Sequence, residues 1–330
     1  MLESPPSPTL SRAFIVVALA LALPVAGPAR AQSFPDKPIR FVVPYAPGGS
    51  TDFLARMLAQ HYTEVWKQPV VVDNRGGGGG TIGADLVARS PADGHTLVLT
   101  AGSHATAVGI YRKLPYDLLT DLQAVGLIAT QPNALVVHPS LPVRSVKELI
   151  ALARTRPGEL AFSSSGNGGF QHLIGELFKA QANVNLIHVP YKGTAPALAD
   201  LIGGQVSMSV QPVINAVPSA KAGRIRMVAV TGPQRTAVAP EVPTVRESGL
   251  PDFSVVAWYG VHVPARTPRP IVDALNGQMR KLLSSGDTRQ RLLGQGMEPA
   301  LTTPDEFADF VRSEVARWTK VIRNAGITEN

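Results

Sequence analysis

The chain alternates short apolar runs with longer stretches whose apolar residues recur every three or four positions. Ile39-Arg40-Phe41-Val42-Val43 predicts a strand that Pro44 ends. A glycine turn follows, and then Phe53, Leu54, Met57, Leu58, Tyr62 and Val65 fall at helical spacing. Val70-Val71-Val72-Asp73 predicts a second, buried strand, which leads through a glycine run into a helix over about 82–89; 96–100 predicts a third strand. The middle of the chain repeats this order. Leu135-Val136-Val137 predicts a strand, and Ser145 with Glu148 has the spacing of a capping box opening a helix to about residue 155. Further strands are predicted over 160–163, 186–189, 206–210 and 226–230, and helices over about 172–181 and 194–202. Strand–turn–helix units in series point to an α/β fold with largely parallel sheets.

The C-terminal part is mostly helical. Ile271, Leu275, Met279 and Leu282 share one face. Thr303-Pro304-Asp305-Glu306 is a second capping box, with proline at the first helical position. It opens a long amphipathic helix through Phe307, Val311, Val315, Trp318 and Ile322. No internal repeat is visible.

The chain has 330 residues, enough for about two domains at roughly 150 residues each. A hydrophobic share of 45% with 17% charge describes a globular chain and not a disordered one. Thirty glycines and 29 prolines argue against a coiled coil or a helical solenoid. There is no cysteine, which removes a disulfide scaffold, a thiolate zinc site, an iron–sulfur cluster and a cysteine nucleophile together. A net charge of +7 admits nucleic acid, a membrane surface or small anions as partners.

The N-terminus narrows that choice. Arg12, an apolar run from Ala13 to Leu23, Pro24 and Ala29-Arg30-Ala31 follow the order of a secretory signal peptide. The run falls short of the about 20 apolar residues that span a bilayer, which sets export ahead of an uncleaved anchor. A signal over 1–31 leaves residues 32–330, and loss of Glu3, Arg12 and Arg30 brings the charge to +6. The start before Arg12, with Glu3 and three prolines, is unusual for a signal and fits initiation further in. Without cysteine there is no lipid anchor. A periplasmic protein meets no chromosomal DNA and no nucleotide pool. Nucleic acid is therefore not the expected partner, no cofactor is implied, and the basic charge becomes a field that favours small anions.

Three loops carry candidate chemistry: Pro47-Gly48-Gly49-Ser50-Thr51-Asp52, residues 74–83 and residues 163–169. Each follows a strand and precedes a helix, where open α/β sheets bind ligands. Helix N-termini offer free N–H groups and a positive dipole end. Glycines let a ligand approach the backbone, and successive N–H groups make nests for oxyanions. Two Ser/Gly loops facing each other would hold a carboxylate without any arginine. Each loop alone also admits the simpler reading as a helix cap, and Asp52 in a first turn favours it.

Other chemistries find little support. Gly78-x-Gly80-x-x-Gly83 has the spacing of a dinucleotide fingerprint, but no acidic residue stands about 20 positions on. There is no Gly-x-Ser-x-Gly elbow, no Ser-x-x-Lys and no His-Glu-x-x-His. The seven histidines lack metal-ligand spacing, so no metal site is expected, and His172 and His188 read as satisfied structural residues. Trp258 admits both a core and a cleft-wall reading. No group places a base beside Ser165, which leaves an exported serine hydrolase as the weaker alternative and catalytic residues unassigned.

Taken in order, the motifs form a known pattern. The stretch from Lys37-Pro38-Ile39-Arg40 through Gly48-Gly49-Ser50-Thr51-Asp52 resembles the opening of the Bug-type extracytoplasmic receptors, the solute-binding component of tripartite tricarboxylate transporters. Asn74-Arg75 with its glycine run and Asp93-Gly94-His95-Thr96-Leu97 are similar to a second block. Ser164-Ser165-Gly166-Asn167-Gly168 with His172-Leu173 resembles a third, and His188-Val189-Pro190-Tyr191-Lys192-Gly193 a fourth. Trp258-Tyr259-Gly260 and Pro264-Ala265-x-Thr267-Pro268 resemble the last, so that the likeness covers about 290 residues.

The resemblance implies a type II-like periplasmic binding protein, two α/β lobes around a ligand cleft. It places lobe 1 at 33–131 plus 262–330 and lobe 2 at 132–261, with crossovers near 130–131 and 262–264 that form a hinge. A monomer would close on a small mono- or dicarboxylate and pass it to membrane permease subunits or to a sensor. The implied ligand contacts are Tyr45, Gly49, Ser50, Thr51 and Ser103 from one lobe. From the other come Ser165, Gly166, Asn167, Gly168, Tyr191, Gly193, Thr194 and Gln211. Two positions depart from the family pattern. Gly169 stands where serine is frequent, and Val210-Gln211 where Phe-Asp is frequent. The neutral Gln211 offers no carboxylate to an amino group, which disfavours amino-acid ligands.

Overall fold

The computed structural model describes Met1 and residues 34–45, 47–191 and 193–327; the signal-peptide expectation falls on residues almost wholly outside this set. Of two compact units, Met1–Asp36 and Lys37–Asn330, the second carries the sheet and helices.

Strands β1 (Ile39–Val43), β2 (Val70–Asn74) and β3 (Thr96–Ala101) run parallel, with β1 between the other two. β5 (Ala161–Ser164), β6 (Ile187–Pro190) and β7 (Met208–Pro212) form a second parallel trio around β5. Between the trios lie β4 (Leu122–Val137) and β9 (Val256–Pro264), antiparallel to each other and to their outer neighbours. β8 (Arg226–Val230) and the short β10 (Glu298–Pro299) also pair with β4, and the main order is β2-β1-β3-β9-β4-β7-β5-β6.

The expectation of largely parallel sheets therefore holds for the outer strands and is corrected at the centre. A parallel pairing needs a long crossover, usually helical, to bring the chain back to the same end. β9 follows β8 through a helix-free stretch, residues 231–255, and enters the sheet running against both neighbours. β4 spans the molecule. Its first part pairs with β9 up to Pro132 and its last part, from Asn133, with β7. Phe41, Val42 and Val43 of β1 are wholly buried on both faces, as a strand covered by helices on two sides must be.

Among the described residues ten α-helices pack on this sheet. They are α1 (Ser50–Trp66), α2 (Thr81–Ala88), α3 (Gly102–Ile110), α4 (Val146–Thr155), α5 (Phe170–Ala182), α6 (Thr194–Ile202), α7 (Val213–Lys221), α8 (Arg269–Leu283), α9 (Gly286–Gly294) and α10 (Pro304–Ala325). α1 buries Leu54, Leu58 and Tyr62 at four-residue spacing. The Tyr62 hydroxyl donates to the Leu275 carbonyl of α8 at 2.8 Å.

α10 has the expected capping box: Thr303 Oγ1 accepts from the Glu306 N–H at 3.2 Å, and Glu306 Oε2 accepts from the Thr303 N–H at 2.8 Å. At α4 only half of the box forms. Ser145 caps Glu148, but the Glu148 carboxylate takes the Arg144 N–H instead of the Ser145 N–H.

Two glycines mark close helix–sheet approaches. A Cβ at Gly260 of β9 would overlap the Phe307 ring of α10, and one at Gly175 of α5 would overlap the Phe162 ring of β5. Trp258 is wholly buried, with Nε1 donating to Glu314 Oε2 at 3.2 Å, so it belongs to the core. Burial raises the Glu314 carboxyl, against the opposing pull of Arg317 and the two indoles of Trp318 and Trp258.

Candidate ligand-binding site

The first loop joins β1 to α1. Gly48 has φ 88° and Gly49, the residue before the helix, is extended and caps it with no side chain. Asp52 fixes the loop from below. Its carboxylate accepts from the Gly48 N–H at 3.0 Å, from Asn74 Nδ2 at 3.1 Å and from Arg56 Nε at 2.9 Å. Asn74 Nδ2 also donates to the Tyr45 carbonyl at 3.1 Å. The Arg56 hydrogen bond, with those from Gly48 and Asn74, holds the Asp52 carboxyl below its ordinary value against burial. Asp52 is thus a latch for the loop and not the helix cap that its first-turn position suggested, since no side chain caps α1. No described atom lies within 4 Å of where a Cβ would stand at Gly48 or Gly49, so this backbone faces open space.

α3 supplies the next element. Ser103, in its first turn, hydrogen-bonds the Tyr45 hydroxyl, and His104 Nδ1 lies 3.4 Å from the same hydroxyl. Tyr45 is half-buried, and loss of solvent around its hydroxyl pushes the phenol up; burial brings the His104 imidazole down to about 4. Tyr259 lies beside Ser50, and its hydroxyl donates to Gln131 Oε1 at 3.1 Å.

The second glycine run stands behind this group. A Cβ at Gly80 would come within 3.0 Å of both the Tyr45 hydroxyl and the His104 ring, and one at Gly83 within 2.7 Å of Pro44. The glycines of the apparent dinucleotide fingerprint are therefore spent on packing against this chain's own side chains.

The third loop joins β5 to α5. Gly166 and Gly168 have φ 145° and 69°, and the Gly169 N–H donates to the Gly166 carbonyl at 3.2 Å. Ser165 Oγ donates to Gln171 Oε1 at 2.5 Å, and its carbonyl accepts from the Gly193 N–H at 3.1 Å. Ser164 Oγ lies 2.7 Å from His188 Nε2, a serine–histidine contact that the sequence did not suggest. This hydroxyl is wholly buried and tied to both backbone groups of Gly166, and the nearby carboxylate of Glu176 faces His172, not His188.

The remaining residues of the second half fare differently. Gly193, with φ 117°, precedes α6 and faces open space, and Thr194 begins that helix with its hydroxyl 3.5 Å from Asn215 Nδ2. The Tyr191 hydroxyl is committed to Asp200 at 2.7 Å, a bond that raises the phenol. Gln211 is wholly buried: Nε2 donates to Ser209 Oγ at 2.8 Å, and Oε1 has no partner among the described residues. Asn167 is exposed at the tip of its loop.

α3 brings the two loops together. Its Ser103 touches Tyr45 on one side, and a Cβ at its Gly102 would meet Phe170 of α5 at 3.2 Å. At its other end Ile110 lies 3.2 Å from the Cβ position of Gly168. Sequence reasoning nominated Ser103 but not Tyr259, Gln131 or His104. The signal was present: Gly102 follows a strand as the glycines of the other loops do. Among the described residues no group of three or more His, Cys, Asp or Glu is placed to hold a metal ion.

Residues 54–327 match the family described as Tripartite tricarboxylate transporter family receptor. The chain belongs to that receptor family. The receptor is 40% identical to an R. palustris protein solved with adipate, covering 90% of this chain and 100% of that one with a TM-score of 0.78. It is 32% identical to the periplasmic binding protein BugD, over 90% and 100% of the two chains, TM-score 0.74. It is 34% identical to MatC of Rhodopseudomonas palustris, solved with malate, over 88% and 100%, TM-score 0.73. The fold of this receptor is thus that of the periplasmic binding proteins of its family, and these neighbours are solute-binding receptors. No helix among its described residues is long and apolar enough to cross a membrane.

Proposed function

We propose that this receptor captures a small mono- or dicarboxylate in the periplasm and delivers it to the membrane permease of a tripartite tricarboxylate transporter. The observation that carries the reading is the pair of glycine loops, 47–52 and 163–169, each opening a helix and both bordering α3. Open backbone at Gly49 leaves its N–H for a carboxylate, while the N–H groups of Gly48 and Gly193 go to Asp52 and the Ser165 carbonyl; Ser50, Ser103, Ser165 and Thr194 add hydroxyls. The adipate and malate bound by the two R. palustris proteins support a carboxylate ligand.

The lobes would be 33–131 plus 262–330 and 132–261, as the resemblance implies. The pairing of β9 with β4 from Val256 to Pro264, and with β3 over Tyr259–His262, supports drawing the second crossover just before Val256 rather than near 262–264. Closure removes the ligand from water, where neutral donors gain strength. In this reading Tyr45, Thr51 and Gln211 shape the walls from behind, Asn167 closes over the ligand, and Gly166 and Gly168, whose N–H groups go to Ser164 and His172, set the course of the loop's backbone. Tyr191 lines the cleft with its ring, since its hydroxyl is engaged.

A thermal-shift and calorimetry screen of small carboxylates tests the reading. Adipate, malate or a related acid should stabilise the protein. Stabilisation by neutral sugars or metal ions alone would contradict it.

A further inference from the structure

Beneath the third loop two imidazoles lie face to face, with ring centroids 3.6 Å apart and planes 7° from parallel. His172 belongs to the first turn of α5 and His188 to β6, and the Phe162 ring of β5 flanks them at 6.3 and 4.9 Å. Each ring reaches the loop. The Gly168 N–H donates to His172 Nδ1 at 3.0 Å, and His188 Nε2 lies 2.7 Å from Ser164 Oγ. Ser164 in turn holds Gly166, donating to its carbonyl at 3.1 Å and accepting from its N–H at 3.2 Å. The two rings thus anchor the two positive-φ glycines of the loop.

We propose that His172 and His188 are positioning residues for ligand capture: the stacked pair takes up Gly166 and Gly168 and so holds the loop in the conformation that presents Ser165 and Asn167 to the cleft. This rests on the reading of the loop as one wall of the carboxylate site.

The bonds demand particular protonation states. Because His172 Nδ1 accepts from Gly168, its proton sits on Nε2, which faces Glu176 Oε1 at 3.6 Å. With the single Ser164 proton given to Gly166, His188 Nε2 is the donor to Ser164 Oγ. A proton added to His172 Nδ1 would set a donor against the Gly168 N–H and place a cation against the second ring. The charged groups acting on the pair are Glu176 and Lys179 of α5, paired at 2.8 Å; Arg317 and Lys320 of α10 border a groove with that ion pair, and neither histidine lines it. β5 presents Phe162 and Ser164. Burial first, and then His172, bring His188 down to about 4, with Lys179 acting in the same sense and Glu176 against it.

The test is an NMR pH titration of the full chain, following the Gly166 and Gly168 amides together with the imidazole Cε1–H signals. The Gly168 amide should shift with the same midpoint as His172. In His172→Asn, whose Oδ1 can take the place of Nδ1 without titrating, that amide should keep its neutral-pH position and stop following pH. In His172→Leu it should be displaced at every pH. A Gly168 amide indifferent to the titration of His172 in the native protein overturns the inference, and needs no variant to fold.

Calorimetry with adipate at neutral pH supplies the second readout. His172→Leu should bind about tenfold more weakly and His172→Asn within about twofold of the native chain, the range of one hydrogen bond lost or kept. Equal adipate affinity in the native and His172→Leu proteins also overturns it. If the native chain binds no carboxylate while the Gly168 amide still follows His172, the function reading falls and the positioning of the loop stands.

Discussion

The first and third loops are built to the same plan, a strand, a turn of glycines and serines, and a helix, but they are latched by different chemistry. The first is held by a carboxylate: Asp52 gathers Gly48, Asn74 and Arg56. The third is held by imidazoles and a buried hydroxyl: His172 takes Gly168, and His188 with Ser164 takes Gly166. A shared sequence grammar therefore fixes the shape of a ligand loop without fixing what stabilises it. The two walls of one cleft should respond differently to substitution and to acid.

The largest expected effect is on the first loop. Asp52→Ala leaves the Gly48 amide and Asn74 without their acceptor and Arg56 without its carboxylate. It should cost about 3 kcal/mol, the upper range for hydrogen bonds to a charged group, read as a lower denaturation midpoint. It should release the Gly48 amide to hydrogen exchange while leaving Gly168 protected, and exposure of both together would break the comparison.

Gly175→Ala probes the third loop's helix from behind. The added methyl meets the Phe162 ring and should cost about 2 kcal/mol by overpacking. It should disturb the His172–His188 pair, which Phe162 flanks, and leave the Tyr45–Ser103 bond unchanged.

Acid should separate the walls in order. His188 titrates at about 4 in the folded chain against an ordinary 6.5, so the unfolded chain takes up its proton first. Its contribution is present near neutrality and is lost as pH falls from about 6.5 to about 4. The Asp52 carboxyl lies below its ordinary 3.8, so the stability it confers persists above that value and is lost only as pH falls further. Hydrogen exchange at stepped pH should show the Gly166 region loosening before Gly48.

Tyr45→Phe removes the bond to Ser103 and should cost about 1 kcal/mol, the value of one neutral hydrogen bond. Tyr191→Phe is the smallest, within about 0.5 kcal/mol, because the partner it frees, Asp200, is only half-buried and keeps access to water. A large loss of ligand affinity in Tyr191→Phe would make that hydroxyl a ligand contact and redraw the second wall.

Much of this was legible in the sequence where burial is one-sided. The helix over 194–202 matches its predicted bounds, and α10 follows its apolar spacing and cap; in α8 Leu275 and Met279 are buried as expected, with Val272 and Leu283 in place of Ile271 and Leu282. The first-turn position of Asp52 pointed to a helix cap, whereas the structure makes it a latch on Gly48 and Asn74. What escaped was structure buried all round. α3 consists largely of small residues, with no apolar stripe against a polar face, so no helical period marks it. β4 carries Gln131-Pro132-Asn133 in its middle, which reads as a turn, yet the strand continues because its pairing partner changes there from β9 to β7. At the site, spacing exposed the glycine loops but not their supports. Tyr259 and Gln131 reach Ser50 only through the sheet's strand order, and the stacking of His172 on His188 exists only once α5 lies over β5 and β6.

The most direct measurement of carboxylate capture is native mass spectrometry of the freshly purified protein. Capture by closing loops predicts one small organic acid retained per chain, released on unfolding and replaced by adipate or malate when these are added in excess. Retention of a neutral sugar or a metal ion, with neither adipate nor malate binding, would contradict it.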